Sequence, residues 1–219
     1  MPPELIIFDC DGVLIDSEGI AARLIAQNLT QHGWPMTALE NQALFLGMSM
    51  TTMQPMVEAH LGHKMPEGWR DALAQDLIVA LAAEAEPIAG AKQTLERLNA
   101  MGVPWRVASN SSDAEMTAKF SRVGMTQLVT GRTFASARWG RPKPAPDVFL
   151  AAAADAGVAP AHCLVIEDSV LGIKGAVAAG MLVYGFDPHG PGHLLLEAGA
   201  ALVLHGLDEL FLNLNKEAA

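Results

Sequence analysis

The sequence predicts an α/β fold, in which a parallel sheet is flanked by helices and a helical cap is inserted after the first strand. Short apolar runs alternate with helical segments through most of the chain, which is typical of a parallel sheet. One stretch of roughly 70 residues departs from this alternation and is longer than a simple crossover needs.

The predicted strands are wholly apolar runs, as expected for strands that are buried on both faces of a sheet. They cover Leu5–Phe8 and the ranges 103–108, 163–166 and 181–186. Helices are predicted over 92–100, 114–122, Asp147–Ala156 and 170–179. A glycine follows each helical segment closely and can end the helix.

The stretch that breaks the alternation is predicted to be a separate cap. It shows helical patterns with turn signals at Gly33-Trp34-Pro35 and around Gly62 and Gly68, and no apolar run typical of a strand. We therefore predict a core formed by residues 1–15 and 88–219, with residues 16–87 as the cap.

Composition excludes several classes of protein. The chain has 219 residues, of which 51% are hydrophobic and 17% charged, so it can bury a core and is not a disordered chain. A net charge of −10 argues against nucleic-acid binding. An acidic protein that handles an anionic substrate needs local positive charge, and a metal cation is one source of it.

No targeting or membrane segment is predicted. The N-terminus lacks a signal-like stretch, and no run of about 18 apolar residues is present. Cys10 and Cys163 lie far apart, each in an apolar segment, and are predicted to be small core residues rather than metal ligands. We expect a cytoplasmic protein that contacts neither membranes nor nucleic acid.

Chemically active side chains follow the predicted strands. In open α/β sheets, ligands bind at the carboxyl ends of the strands. Asp9 and Asp11 follow the first strand, Ser109 and Asn110 the second, and Glu167 and Asp168 the third, while Lys143 lies in a proline-rich loop. This set predicts a binding site.

The carboxylates predict a magnesium site. Residues two apart on an extended strand point the same way, so Asp9 and Asp11 can face one pocket while Cys10 turns away. With Asp168 they form an all-oxygen donor set, which suits Mg²⁺ better than zinc or copper. Gly12 leaves the pocket unobstructed by a side chain.

Four segments carry a resemblance to a known family. FDCDGVLIDSE, VASNS, KPAPDVF and IEDS resemble, in order, the four motifs of the haloacid dehalogenase superfamily. The resemblance spans essentially the whole chain. It implies a Rossmann-like core with an inserted cap, in the branch that contains sugar phosphate, phosphogluconate and phosphoglycolate phosphatases and β-phosphoglucomutase.

The resemblance also implies roles for the matching residues. Asp9 would be the nucleophile that forms an aspartyl-phosphate, and Asp11 the general acid and base. Mg²⁺ would be held by Asp9, Asp168 and the main-chain carbonyl of Asp11, with Glu167 as a further direct or water-mediated ligand. The side chains predicted to bind the phosphoryl group are those of Ser109, Asn110 and Lys143.

Simpler interpretations exist for single residues. Ser109 could be a helix cap and Lys143 an ordinary solvated charge. A solvated face is the preferred interpretation of Arg132, Arg138 and Arg141. His60, His63, His189 and His193 match no zinc spacing. Asp16, Ser17 and Glu18 are predicted to lie where the chain enters the cap, with a hinge or cap-contact role.

The favoured function is hydrolysis of a small phosphorylated metabolite, a sugar phosphate or sugar-acid phosphate. The alternatives are a phosphomutase, a dehalogenase and a non-catalytic binding module. Similar mutases carry a His and an Arg in the cap at positions that fall on Ala21 and Met50 here. Arg23 and Lys64 are the nearest cap cations that could substitute. No oligomeric state is predicted.

Overall fold

A six-stranded, all-parallel sheet forms the centre of the molecule. The structure is a computed structural model that describes residues 2–217. Within them the strand order is β5-β4-β1-β6-β7-β8. The strands are β1 (Leu5–Phe8), β4 (Trp105–Ser109), β5 (Thr133–Ala135), β6 (Cys163–Glu167), β7 (Leu182–Phe186) and β8 (Leu202–Leu204).

The first strand lies in the middle of the sheet. Ile6 pairs with Trp105 of β4 on one side and with Leu164 of β6 on the other. All four residues of β1 are buried, as expected for a strand covered on both faces. The site residues that follow β1 are therefore held by the most enclosed part of the fold.

Helices cover both faces of the sheet. Those of the core are α5 (Ala91–Met101), α6 (Asp113–Arg122), α7 (Thr126–Val129), α8 (Ser136–Trp139), α9 (Asp147–Ala156), α10 (Val170–Ala178), α11 (His193–Ala198) and α12 (Glu209–Glu217). Ile6, Phe8 and Trp105 belong to the apolar cluster on one face. Leu5, Ile7 and Phe149 belong to the cluster on the other.

Four helices lie between β1 and α5 and have an apolar cluster of their own. They are α1 (Glu18–Gln31), α2 (Ala38–Phe45), α3 (Met50–Leu61) and α4 (Trp69–Glu84). Leu29, Met53, Val57 and Leu77 belong to this cluster. Thr37 caps the N-terminus of α2, since its side chain accepts from the main-chain N of Glu40 and the Glu40 carboxylate accepts from the main-chain N of Thr37.

A short antiparallel ribbon joins the two parts of the chain. It pairs β2 (Ile15–Asp16) with β3 (Glu86–Pro87), close to the predicted boundaries at residues 15 and 88. The division into a core and a cap with these boundaries stays a prediction.

The predicted fold class is confirmed, and most of the predicted elements are present. Leu5–Phe8 and Asp147–Ala156 have the predicted bounds. The edge strands β5 and β8 were not predicted, because three residues are too few to show a strand pattern. Among the described residues, no helix is long and apolar enough to cross a membrane.

Candidate active site

The site residues meet in a cavity of about 150 Å³ at the carboxyl ends of β1, β4 and β6. All seven residues predicted from the sequence line this cavity: Asp9, Asp11, Ser109, Asn110, Lys143, Glu167 and Asp168. They converge because the carboxyl ends of neighbouring parallel strands lie at one edge of the sheet. Residues of α1, α2, α4 and the segment between α2 and α3 cover the cavity from the other side.

Lys143 links two carboxylates in the floor of the site. Its Nζ donates hydrogen bonds to Asp9 Oδ1 at 2.6 Å, to Glu167 Oε1 at 2.5 Å and to the main-chain oxygen of Ala108 at 2.8 Å. The side chain is 3% exposed, so it is not the solvated surface lysine of the simpler interpretation. An ammonium group has three N–H donors, and here each has an acceptor.

Three carboxylates form a group that could hold a metal ion. Oxygens of Asp9, Glu167 and Asp168 all lie within 4.8 Å of one another. Burial raises the pKa of Asp9 to about 7, even though Lys143 acts to lower it. Burial, together with the charges of Glu18, Glu167 and Asp9, raises the pKa of Asp168 well above its ordinary value.

This donor set fits Mg²⁺. The ligands are all oxygens, and a divalent cation would relieve the repulsion that raises these pKa values. The side chain of Asp11 is not in the group, so its place as a ligand stays a prediction that depends on its main-chain carbonyl. Glu167 also accepts bonds from Lys143 and from Ser169, which leaves it less freedom to reach a metal.

Gly12 and Glu18 shape the side of the site next to Asp168. Gly12 has φ +73°, and a Cβ atom there would collide with the carboxylate of Asp168. Glu18 shares a hydrogen bond with Asp168 and accepts another from Gln42 at 3.2 Å. Helix α1 therefore brings a carboxylate to the group that could hold a metal ion.

Four side chains hold the carboxylate of Asp11, and two of them, Lys119 and Ser111, were not predicted from the sequence. Lys119 Nζ donates to Asp11 Oδ1 at 2.5 Å, and Ser17 Oγ donates to the same oxygen. Asp11 Oδ2 accepts from Ser111 Oγ at 2.8 Å and from Ser109 Oγ at 3.2 Å. Burial alone would raise the pKa of Asp11, but the Lys119 ammonium and these hydroxyls lower it to about 2.

Lys119 is the main residue that sequence analysis missed. It lies on α6 between Met116 and Phe120, which form the buried face of that helix. Lys119 follows Met116 by three residues and precedes the partly buried Val123 by four, a spacing that predicts a position on the apolar face, and this was the available signal.

Asn110 joins three segments around the cavity. Its Oδ1 accepts from the main-chain N of Lys143 at 2.9 Å, and its Nδ2 donates to the main-chain oxygen of Gly47 at 2.8 Å. The phosphate-binding roles predicted for Ser109 and Asn110 stay predictions, since both side chains contact protein groups here.

The helical part of the chain contributes a wall without basic residues. Ala21, Ile25, Phe45, Met48 and Met50 give it an apolar surface, and Asn41, Gln42 and Ser49 add amide and hydroxyl groups. Among the described lining residues, Lys143 is the one lysine or arginine. Arg23 pairs with Glu84 and Lys64 pairs with Glu58, and neither belongs to the described lining of the cavity.

The other charged candidates lie outside the described cavity lining. Arg141 pairs with Asp147 at 3.2 Å, and Arg138 with Asp113 at 3.4 Å. Arg132 lies over the ring of Trp105. His60 stacks on Trp34 with ring centroids 3.7 Å apart.

A sequence profile of haloacid dehalogenase-like hydrolases matches residues 3–180, which contain every residue of this site. The chain belongs to this family. The match includes the segments before and after the inserted helices, so it covers the core strands β1, β4 and β6 together with the helical part between them.

Relatives agree with this assignment. Hexitol phosphatase A of Escherichia coli is 30% identical over 211 residues, which cover 93% of this chain and 91% of that protein. The 6-phosphogluconate phosphatase of Escherichia coli is 28% identical over 189 residues, covering 85% and 84%. The predicted family and the predicted enzyme class, a phosphatase of this family, are therefore confirmed.

A solved structure has the same fold throughout. A haloacid dehalogenase-like protein of unknown function from Agrobacterium tumefaciens is 36% identical, with a TM-score of 0.81 and 99% of each chain covered. The inserted helices are thus part of the shared architecture.

Proposed function

We propose that this protein is a Mg²⁺-dependent phosphatase that hydrolyses a small sugar phosphate through an aspartyl-phosphate on Asp9. The observation that carries the proposal is the contact between Asp9 and Lys143, 2.6 Å apart at the end of the central strand. The carboxylate that would be the nucleophile thus lies beside a buried positive charge and in a group of oxygens that could hold a metal ion, which supports the proposal.

In the first step, a carboxylate oxygen of Asp9 forms a bond to phosphorus and the bond from phosphorus to the ester oxygen breaks. In the contacts described above Asp11 is a carboxylate with a pKa of about 2. The negative charge of a substrate phosphate beside it acts to raise that pKa, so that Asp11 takes up a proton and gives it to the ester oxygen, and the alcohol leaves neutral. Lys143 balances negative charge on the transferring group. Mg²⁺, when bound by Asp9 and Asp168, supplies further neutralisation and orients the phosphoryl group.

In the second step, Asp11 is a carboxylate and accepts a proton from water. The water oxygen bonds to phosphorus, the bond to Asp9 breaks, and inorganic phosphate leaves. Ser109 and Asn110 lie beside Asp11 and Lys143 and could donate to phosphoryl oxygens in both steps. Residues 16–87 would act as a cap that excludes bulk water while the intermediate exists.

The substrate class follows from the relatives and from the wall of the cavity. Hexitol phosphatase A and 6-phosphogluconate phosphatase are named for phosphates of sugar derivatives. Amide and hydroxyl groups of Asn41, Gln42 and Ser49 suit a polyhydroxylated compound. The carboxylate of Glu18 and the apolar wall favour a compound whose only anionic group is the phosphate.

The test is hydrolysis of p-nitrophenyl phosphate and of a panel of sugar and hexitol phosphates, with Mg²⁺ and with chelator. We expect phosphate release that needs Mg²⁺, and its loss in Asp9→Asn with the fold retained by circular dichroism. Full activity in chelator, or in Asp9→Asn, would contradict the mechanism.

The same assay separates a phosphatase from a phosphomutase. Ala21 and Met50 line the cavity at the positions where similar mutases carry His and Arg, and neither side chain can donate a hydrogen bond to phosphate. We expect a sugar 1-phosphate, primed with the sugar bisphosphate, to release phosphate faster than it forms the 6-phosphate. The reverse order would establish a mutase instead.

A further inference from the structure

The contact between α6 and the general acid has no role in the steps above. Lys119 is fully buried, and its Nζ lies 2.5 Å from Asp11 Oδ1 and 2.8 Å from Ser111 Oγ. Ser111 Oγ in turn donates to Asp11 Oδ2 at 2.8 Å. The lysine and the serine therefore hold both oxygens of one carboxylate, from a helix and from the turn that precedes it.

Stability alone does not explain a lysine at this position. Met116 and Phe120, its neighbours on the same helix face, are buried and apolar. Replacing a buried ion pair by apolar residues of similar size is often neutral or stabilising, because the charges lose their hydration when they are buried. Apolar residues at both positions would avoid that cost, so the lysine at position 119 is explained by the carboxylate of Asp11 and not by the helix face.

The partner of Lys119 lies in the active site. The side chain of Asp11 is 28% exposed and lines the cavity, whereas that of Lys119 is enclosed. With its two oxygens bound on separate sides, the carboxyl group of Asp11 has one favoured rotation. Proton transfer in a transition state requires the donor oxygen to lie within hydrogen-bond reach of the reacting atom.

We propose that Lys119 is a positioning residue, which with Ser111 holds the carboxyl group of Asp11 at the angle from which it protonates the leaving oxygen. This inference rests on the proposed function of Asp11. Lys119 touches neither the substrate nor the metal-binding group and acts through Asp11 alone.

A leaving-group series tests the proposal. p-Nitrophenolate leaves without a proton, whereas the alkoxide of a sugar phosphate needs one. Positioned acid–base groups contribute roughly 10²-fold or more to rate. We therefore expect Lys119→Met to lower kcat/KM about 10²-fold on the sugar phosphate and less than about tenfold on p-nitrophenyl phosphate. Phenyl phosphate should give an intermediate loss.

A double-mutant cycle separates positioning from a structural effect. In the Asp11→Asn background, Lys119→Met should leave the ratio of kcat/KM for phenyl phosphate to kcat/KM for p-nitrophenyl phosphate unchanged. The reason is that Lys119 acts through the carboxylate of Asp11, which this background lacks. Lys92→Met, which removes an exposed lysine on α5, is the control and should leave kcat/KM unchanged on both the sugar phosphate and p-nitrophenyl phosphate. If Lys119→Met fails to fold, Ser111→Ala should show the same pattern with a smaller loss.

Removing the Lys119 charge also raises the pKa of Asp11, which by itself would favour its protonation. A rise in kcat/KM on the sugar phosphate, equal losses on all substrates, or a full additional loss in the Asp11→Asn background would therefore overturn the proposal. If the wild-type protein releases phosphate with Mg²⁺ and Asp11→Asn loses activity on the sugar phosphate, an unaffected Lys119→Met would overturn this inference but not the proposed function. A wild-type protein without phosphatase activity would overturn both.

Discussion

Asn110 Nδ2 donates a hydrogen bond of 2.8 Å to the main-chain oxygen of Gly47, which joins the loop after β4 to the segment between α2 and α3. The same glycine packs against Ser169 at the start of α10, where an added Cβ would lie 3.0 Å from Ser169 Oγ. Gly47 is thus a contact between the inserted helices and the loops that carry Asn110 and Ser169.

We predict that Gly47→Ala weakens substrate capture. The substitution puts a methyl group against Ser169 and hinders close packing of the inserted helices on the active-site loops. We therefore expect kcat/KM to fall about tenfold or more, with KM raised. Steady-state kinetics on a sugar phosphate provide the measurement.

Gly62→Ala is a matched control for this prediction. Its φ is +74°, against +73° for Gly47, so both variants carry the same backbone strain, but no atom lies within 4 Å of the added Cβ at position 62. Both variants should therefore lose similar stability, while Gly62→Ala keeps its kinetics. Equal kinetic losses in the two variants would show that strain, not the contact, is responsible.

Lys143 is predicted to matter for stability as well as for activity. Lys143→Met leaves the carboxylates of Asp9 and Glu167 buried without their counterion, and breaking a buried pair in this way costs about 3–5 kcal/mol. Urea unfolding without Mg²⁺ measures the loss. Adding Glu167→Gln should restore part of the stability but none of the activity.

An exposed pair gives the comparison. Arg141 pairs with Asp147 at the surface, with its side chain 76% exposed, and such pairs contribute about 1 kcal/mol or less. If Arg141→Met destabilised the protein as much as Lys143→Met, burial of the Lys143 pair would not be the cause.

The site residues that could be predicted from the sequence are those at the carboxyl ends of the central strands. Asp9, Ser109, Glu167 and Asp168 follow or end central strands, and parallel strands necessarily bring these ends together. Lys143 could be predicted because it lies in KPAPDVF, the segment that resembles the third motif of the family. Both kinds of information are local in sequence and do not depend on how helices pack.

What could not be predicted depends on contacts between distant elements. Lys119 meets Asp11 across 108 residues, and its position is set by the packing of α6 on the sheet. Similarly, the residues that line the cavity opposite the strands depend on how the segment around Met48 and Met50 packs against the rest of the chain. The apolar spacing around Lys119 indicates that this residue is buried, but nothing local in the sequence indicates that it meets Asp11 or where Met48 and Met50 lie.

Removal of Asp168 is predicted to raise the requirement for metal. Asp9, Glu167 and Asp168 supply the oxygens of the metal-binding group, and Asp168→Asn removes one negative charge while keeping the shape. The Mg²⁺ concentration for half-maximal activity should rise at least about tenfold. Titration of activity with Mg²⁺ checks this, and an unchanged midpoint would place the metal elsewhere.

The charge of the substrate gives the last prediction. In the described lining, Lys143 is already bound by two carboxylates, and every other ionisable side chain is an aspartate or glutamate, Glu18 among them. A second anionic group on the substrate would be buried there without a partner. We therefore expect kcat/KM to be at least about tenfold higher for a hexitol or hexose phosphate than for 6-phosphogluconate.

Met50→Arg tests the cause of this preference. Met50 lines the cavity, and an arginine there would offer the missing positive charge to a carboxylate or a second phosphate. In this variant, kcat/KM for the hexitol or hexose phosphate should exceed that for 6-phosphogluconate by a smaller factor or fall below it. The kcat/KM for p-nitrophenyl phosphate should change little. Met56→Arg, on the exposed side of the same helix α3, is the control and should leave the ratio unchanged. A wild-type preference for 6-phosphogluconate would contradict the charge argument, because that carboxylate would then bind favourably in a wall that carries no cation to receive it.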